Sequence, residues 1–133
     1  MWADRIIDDG THRGRWETAR HHIIGASDVK AYARPSSVVS YFEAKLAGRD
    51  FHGNAFTERG HEWEPVLLEH VGVPQNVALV ASPDEPGFAA TVDGISRDGS
   101  VLVECKIRHN KVAGGPSVPE FRQLAWQFQA IPE

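Results

Sequence analysis

The segment from residue 91 to residue 107 constrains the fold more strongly than any other part of the sequence. Asp98-Gly99 stands near its middle, and this dipeptide is a strong signal for the two-residue turn of a β-hairpin. Counting outward from that turn places Asp93 directly opposite Glu104. The segment is therefore predicted to be an antiparallel hairpin that carries two facing carboxylates.

One face of this hairpin concentrates charged side chains. Side chains alternate between the two faces of a strand, so Glu104 and Lys106 share a face, and Asp93 joins them because directly opposite residues also share one. Adjacent carboxylates repel each other, and a divalent cation such as Mg²⁺ would relieve that repulsion. The hairpin alone is equally compatible with a solvated sheet face that carries an ion pair. The other face is predicted to be buried: Val101, Val103, Cys105 and Ile107.

Composition and length are those of an ordinary globular chain. The 133 residues predict a single domain over 1–133, with 41% hydrophobic and 24% charged residues. The one cysteine excludes an internal disulfide and fits a reducing cytoplasm. No apolar run approaches a membrane span or a signal-peptide core, so no membrane association is expected. The net charge of −4 argues mildly against a nucleic-acid coating protein, but not against a nuclease whose metal ligands are acidic.

Hydrophobic periodicity predicts four helices and one further strand around the hairpin. The helices cover residues 28–33, 37–47, 55–71 and 119–131, the strand covers 77–81, and the hairpin strands cover 89–96 and 100–107. Pro65 is expected to kink or break the third helix near residues 61–64. This order of helices, strands and a final helix predicts a mixed α/β (α+β) domain.

Apolar stripes at helical spacing predict which faces of the two longest helices are buried. The stripe of the third helix consists of Phe56, Gly60, Trp63, Leu67 and Val71, with Glu64 at its edge. The stripe of the last helix consists of Phe121, Leu124, Ala125 and Phe128. Glu120, Gln123 and Gln127 line the opposite, polar face of that last helix.

Motifs along almost the whole chain resemble those of one nuclease family. Val92-Asp93-Gly94 followed by Val103-Glu104-Cys105-Lys106 resembles the PD-(D/E)xK nuclease signature. Four further blocks resemble, in order, the phage lambda exonuclease family, also called YqaJ-like viral recombinases. They are Trp16-Glu17-Thr18-Ala19-Arg20, Ile24-Gly25-Ala26-Ser27-Asp28, Gly60-His61-Glu62-Trp63-Glu64-Pro65 and Leu124-Ala125-Trp126-Gln127-Phe128-Gln129.

The chain also departs from the pattern of this family. Val92 replaces the usual proline before the aspartate, and Leu124 replaces the tyrosine of the last motif. The sequence stops at Glu133, whereas family members typically continue with more strands and helices. The chain is therefore either a natural minimal form or a fragment, and the surfaces that close the family's ring-shaped trimer are expected to be incomplete.

The resemblance implies a restriction-endonuclease-like core, shortened at the C-terminus, with a central mixed sheet flanked by helices. It also implies a role for each matching residue. The implied metal ligands are Asp93, Glu104, the backbone carbonyl of Cys105, and Glu64, which would hold a second metal or a metal-bound water. Lys106 would act on the attacking water and on the phosphate charge, and Gln127 would contact the site or the scissile strand. Arg20 and Ser27 would bind a terminal 5′-phosphate.

The function implied by this resemblance is 5′-to-3′ exonuclease action on double-stranded DNA in phage or prophage recombination. The expected cofactor is Mg²⁺, with Mn²⁺ as a substitute. The expected partners are linear duplex ends, a single-strand annealing recombinase and further copies of the chain in a trimer, in the cytoplasm of a bacterial host. Two alternatives stay open: a related PD-(D/E)xK endonuclease, and a noncatalytic DNA- or partner-binding remnant of the family.

Overall fold

The computed structural model describes residues 1–48, 55–108 and 114–133, and for residues 55–59 only the backbone. A 3₁₀ turn and a short strand precede the first helix, most strands lie in the second half of the chain, and a helix comes last. The four predicted helices are present, but the helix Arg13–Arg20 and the strands Ile6–Asp8 and Ile24–Gly25 were not predicted. The helices are α1 (Arg13–Arg20), α2 (Val29–Tyr32), α3 (Val38–Leu46), α4 (Ala55–Val71) and α5 (Val118–Ala130). Short 3₁₀ turns cover Trp2–Arg5, Ala26–Asp28 and Pro35–Ser37. Within the described residues, no helix has both the length and the apolar character needed to cross a membrane.

The strands form one mixed sheet and a separate hairpin. They are β1 (Ile6–Asp8), β2 (Ile24–Gly25), β3 (Leu79–Ala81), β4 (Phe88–Ala90), β5 (Gly94–Ile95) and β6 (Leu102–Val103). The sheet order is β1-β3-β4-β2, in which the first two pairings are antiparallel and the pairing of β4 with β2 is parallel. Helix α5 packs against β4 and against α2. The prediction of a mixed sheet flanked by helices is confirmed.

The hairpin has the predicted register but shorter strands. Gly94 pairs with Val103, as counting outward from the turn requires. Gly99 closes the turn at a φ of +79°, and a Cβ there would lie 2.8 Å from a carbon of Glu133, so glycine serves both the turn and the packing. The predicted strand 89–96 is wrong as a single element, because its first part belongs to the four-stranded sheet.

The hydrophobic core lies between the sheet and α5. Its larger cluster consists of Ala26, Val80, Ala90, Val92, Ile95, Ala130 and Ile131, with Trp2, Leu102 and Trp126 packed against it. A smaller cluster, formed by Ile23, Leu79 and Ala89, packs against Trp16 and Ala19 of α1. The prediction that one hairpin face enters this core is wrong: Val101 is 45% exposed, and the other three residues of that face are only half-buried.

Helix α4 buries a different face from the one predicted. Leu68 and Glu64 are buried, whereas Trp63 and Leu67 of the predicted stripe are exposed. Leu68 lies against the hairpin, where a Cβ on Gly94 would lie 2.5 Å from its Cδ2 atom. This close approach to a polar region turns Glu64 inward and leaves apolar side chains outside. The side chain of Phe56 lies outside the described part. Helix α4 runs unbroken through Pro65, so of the predicted kink or break the break is wrong.

Helix α5 is likewise turned relative to the prediction. Phe121 and Phe128 are each 58% exposed, whereas Gln127 is fully buried and Ala130 nearly so. The predicted apolar stripe is therefore wrong for these two phenylalanines. The polar face turns inward because acceptors and donors on the hairpin meet its amide side chains, and a hydrogen-bonded amide is far cheaper to bury than an unpaired one.

Candidate functional site

Asp93 and Glu104 lie where the pairing of β5 with β6 ends. Asp93 immediately precedes β5, Glu104 immediately follows β6, and the backbone N–H of Cys105 donates to Asp93 Oδ2 at 2.6 Å. That bond crosses the hairpin and holds the aspartate against the chain that carries the glutamate. The two carboxylates of the predicted pair are thus brought to the same end of the hairpin.

The pKa of the Asp93 carboxyl is shifted by its burial and by the charged groups around it. It is raised from 3.8 to about 7, chiefly by burial and then by the negative charges of Glu104 and Glu64, while the Cys105 N–H and Lys106 act in the opposite direction. The Asp93 carboxylate therefore stands in a half-buried environment that disfavours its charge. A cation at this position would reverse that preference.

Glu104 makes polar contacts with three side chains at this end of the hairpin. Its Oε2 atom accepts a 2.6 Å hydrogen bond from Nε2 of Gln127. Its Oε1 atom accepts a 2.9 Å hydrogen bond from Nε2 of Gln123 and lies 2.8 Å from Nζ of Lys106. Lys106 in turn donates to Oε1 of Gln123 at 2.9 Å. The hairpin and α5 thus join four of these polar side chains in one connected network.

Glu64 reaches the same region from α4. It is 8% exposed, and its Oε1 atom accepts a 3.0 Å hydrogen bond from Nε2 of Gln75. Its Oε2 atom lies 3.7 Å from Nδ1 of His61. Gln75 forms an isolated bridge with Gly94, which ties this pair to the hairpin. Glu64 therefore faces the site rather than solvent, and its charge acts on Asp93.

Gln127 combines complete burial with an unsatisfied atom. Its amide nitrogen faces Glu104, while its Oε1 atom is buried without a hydrogen-bond partner in the described residues. An unsatisfied buried acceptor costs about 1–3 kcal/mol, so its retention calls for an explanation. A ligand or an ordered water that donates to this oxygen would remove the cost.

The residues present fit a hard divalent cation in their chemistry. Carboxylate and carbonyl oxygens are its preferred ligands, and the raised pKa of Asp93 and the lone oxygen of Gln127 are both features that a bound cation or its water would relieve. Within the described part of the chain, however, no three Asp, Glu, His or Cys side chains lie together closely enough to hold one ion. The set of Asp93, Glu104 and the Cys105 carbonyl contains only two such side chains and is compatible with that result.

Cys105 contributes its backbone rather than its thiol. Burial and the charges of Asp93, Glu64 and Glu104 raise the pKa of the thiol to about 11. A thiol with such a pKa is almost entirely protonated near neutral pH, and the protonated form is a poor nucleophile. A covalent cysteine mechanism therefore has no support at this position.

A second cluster of polar residues joins α1 to the turn before α2. Nη2 of Arg20 donates to Oγ of Ser27 at 2.8 Å and lies 3.4 Å from Oδ1 of Asp28. The guanidinium lies 4.7 Å from the centroid of the Trp16 ring, and Nε1 of Trp16 donates to Oγ1 of Thr91 at 3.1 Å. Arg20 and Ser27, the two residues predicted to bind phosphate, are thus in direct contact. Thr91 links their cluster to the segment between β4 and β5 that contains Asp93.

Sequence reasoning missed the partners that organise both clusters. Asp28 accepts hydrogen bonds from Tyr41 at 3.0 Å and from the buried Lys45 at 3.1 Å, besides its contact with Arg20. Gln123 was assigned only to a polar helix face. Its spacing of four residues from Gln127 was the available signal, because residues four apart lie on the same side of a helix.

Comparison with known proteins adds a family and a fold. A family model described as YqaJ-like viral recombinase domain matches residues 15–127. The crystal structure of an alkaline exonuclease (LHK-Exo) from Laribacter hongkongensis is similar, with a TM-score of 0.70 and 24% identity over 90% of this chain and 69% of that chain. LHK-Exo in complex with dAMP gives a TM-score of 0.60 and 21% identity over the same shares. This likeness supports the predicted restriction-endonuclease-like core. No curated protein sequence matches the chain.

Proposed function

The chain belongs to the YqaJ-like viral recombinase domain family, and from that premise we propose that it is a metal-dependent deoxyribonuclease. More narrowly, we propose a 5′-to-3′ exonuclease that acts on double-stranded DNA. The observation that carries the proposal is the convergence of Asp93, Glu104 and Lys106 at one end of the hairpin, with Glu64 and Gln127 facing the same place from two helices.

The proposed reaction is hydrolysis of a phosphodiester by water, without a covalent intermediate. Asp93, Glu104 and the Cys105 carbonyl would hold Mg²⁺, or Mn²⁺ in its place, which supplies Lewis acidity at the phosphate and lowers the pKa of bound water. Lys106 would orient the attacking water and stabilise the charge that develops on the phosphate oxygens. Glu64 would bind a second cation or its water, and Gln127 would donate to Glu104 and accept from a water at its Oε1 atom.

The proposed preference of the nuclease for the end of a DNA strand rests on the Arg20 cluster, which consists of Arg20, Ser27, Asp28 and Trp16. A guanidinium binds phosphate oxygens with two parallel hydrogen bonds, and the neighbouring Ser27 hydroxyl adds a third donor. Asp28 and the Trp16 ring hold the guanidinium in place when no phosphate is bound. We propose that this cluster binds the terminal 5′-phosphate while the hairpin carboxylates face the first phosphodiester.

One incubation separates the proposed function from its alternatives. The purified chain is mixed with linear and with covalently closed circular duplex DNA, each with Mg²⁺ and with EDTA. Degradation of the linear DNA alone, and only with Mg²⁺, supports the exonuclease. Nicked or linearised circles would instead indicate a related endonuclease, and retained DNA binding without any cleavage would indicate a noncatalytic remnant.

The proposed assembly and location follow the family rather than any contact within one chain. We propose a ring-shaped trimer that encloses duplex DNA, working with a single-strand annealing recombinase in the cytoplasm of a bacterial host. Sedimentation of the purified chain with and without linear duplex tests the trimer. A monomer under both conditions contradicts it.

A further inference from the structure

The Gln123 side chain contacts both Glu104 and Lys106. Its Nε2 atom donates to Glu104 at 2.9 Å, and its Oε1 atom accepts from Lys106 at 2.9 Å. Lys106 also lies 2.8 Å from the same Glu104 oxygen, so the three side chains close a ring of short polar contacts. Gln123 lies on α5 and the other two residues on the hairpin, so the ring spans two elements.

The chemistry of the two partners determines how the Gln123 amide is oriented. A lysine ammonium only donates hydrogen bonds and an ionised carboxylate only accepts them. Gln123 must therefore present its oxygen to Lys106 and its nitrogen to Glu104, and a flipped amide would lose both bonds. Among side chains of this size, glutamate cannot donate to Glu104 and methionine provides neither strong group.

We propose that Gln123 is a positioning residue of the proposed nuclease, holding the Lys106 ammonium in its catalytic orientation. This inference rests on the proposed function. Lysine has a long, flexible side chain, and that of Lys106 is half exposed, so its ion pair with Glu104 leaves the ammonium rotational freedom. A second acceptor removes that freedom. Within the described residues Glu104 and Gln123 are the two hydrogen-bonding partners of the ammonium, and its third N–H is left for the attacking water or the phosphate.

The expected signature is a loss in kcat without a loss in DNA affinity. Misplacement of a catalytic group by about 1 Å costs up to ~10²-fold in rate, so Gln123→Met is expected to lower kcat by roughly ten- to a hundredfold. KM for linear duplex should stay within about twofold of the parent value, because both hydrogen-bonding groups of the Gln123 amide are occupied by protein partners. Gln123→Glu keeps the acceptor for Lys106 but loses the donor to Glu104, and is expected to be impaired as well.

The test compares these two variants with Val118→Met on the same helix. The Val118 side chain is exposed and lies outside the motifs that resemble the nuclease family, so this control should keep the parent kcat. Melting temperatures are measured for all four proteins to separate a positioning effect from loss of fold. The acetylation rate of Lys106, followed by peptide mass spectrometry, gives a readout that does not depend on cleavage. It should rise in Gln123→Met and stay unchanged in the control.

The outcomes are distinguishable from failure of the proposed function. A parent chain that cleaves no DNA overturns the nuclease proposal and this inference with it. A cleaving parent and a folded Gln123→Met variant with kcat within about threefold of the parent overturn the inference alone. A lowered kcat with unchanged KM and faster Lys106 acetylation supports it. A slower reaction without faster acetylation shows that Gln123 does not act through Lys106 and also overturns it.

Discussion

Replacing Asp93 with asparagine should stabilise the metal-free protein while abolishing cleavage. In the folded chain the pKa of this carboxyl is raised from 3.8 to about 7, chiefly by burial and then by the charges of Glu104 and Glu64. Keeping it ionised at higher pH therefore costs free energy that a neutral amide avoids. Asparagine retains an oxygen for the N–H of Cys105, so the hairpin contact can persist in the variant.

The magnitude follows from the size of the shift. Each pKa unit corresponds to 1.36 kcal/mol, so the rise from 3.8 to about 7 sets an upper bound of about 4 kcal/mol. Asp93 is only half-buried, and solvent screening reduces the expected gain to about 1–2 kcal/mol, or several degrees in melting temperature. When the pKa of a carboxyl is higher in the folded than in the unfolded state, its ionisation costs no folding stability at pH values below the unfolded-state pKa. The penalty grows as the pH rises from about 4 and is complete above about 7.

Thermal unfolding in EDTA at pH 8 and pH 5 measures this effect. The gain at pH 5 should be smaller than the gain at pH 8, because part of the ionisation penalty has not yet developed. Asp98→Asn is the matched control in the same hairpin. Hydrogen bonds from Ser96 and Ser100 lower the pKa of Asp98 to about 2, so its ionised form is favoured by folding and its loss should not stabilise. An Asp93→Asn variant that is less stable than the parent at pH 8, or equally shifted at both pH values, would refute the reasoning.

Three further substitutions test other parts of the molecule. Lys106→Ala should lower the cleavage rate by ~10²–10³-fold with DNA binding largely intact, as for a lost transition-state donor, and cleavage within threefold of the parent would exclude that role. Arg20→Ala should slow digestion of 5′-phosphorylated ends far more than of 5′-hydroxyl ends; an equal loss on both, with a lower salt dependence of binding, would mark Arg20 as a general backbone contact. Gly94→Ala should destabilise the fold by about 1–3 kcal/mol in urea unfolding, because its Cβ would lie 2.5 Å from Leu68, and an unchanged midpoint would show that α4 yields there.

The sequence alone determined which charged side chains come together at the end of the hairpin. A two-residue turn sets the pairing register locally, and the period of two along a strand then decides which side chains share a face. Both rules act within about fifteen residues, so counting outward from Asp98-Gly99 was enough to pair Gly94 with Val103. The contact between Glu104 and Lys106 follows from the same alternation. The positions of α2, α3, α4 and α5 were also predicted well, because their start and stop signals are local, whereas α1 was missed.

Only the tertiary structure decided which faces of α4 and α5 are buried. An apolar stripe predicts burial on the assumption that the partner surface is apolar, and here the partner is a hairpin end rich in carboxylates. Glu64 and Gln127 therefore turn inward, while Phe121 and Phe128 remain outside. The position of Gln123 between two hairpin residues depends on the same docking. Spacing along the chain places Gln123 on the same side of α5 as Gln127, but it does not determine which surface that side meets, since the orientation of a helix is set by long-range contacts rather than by its own period.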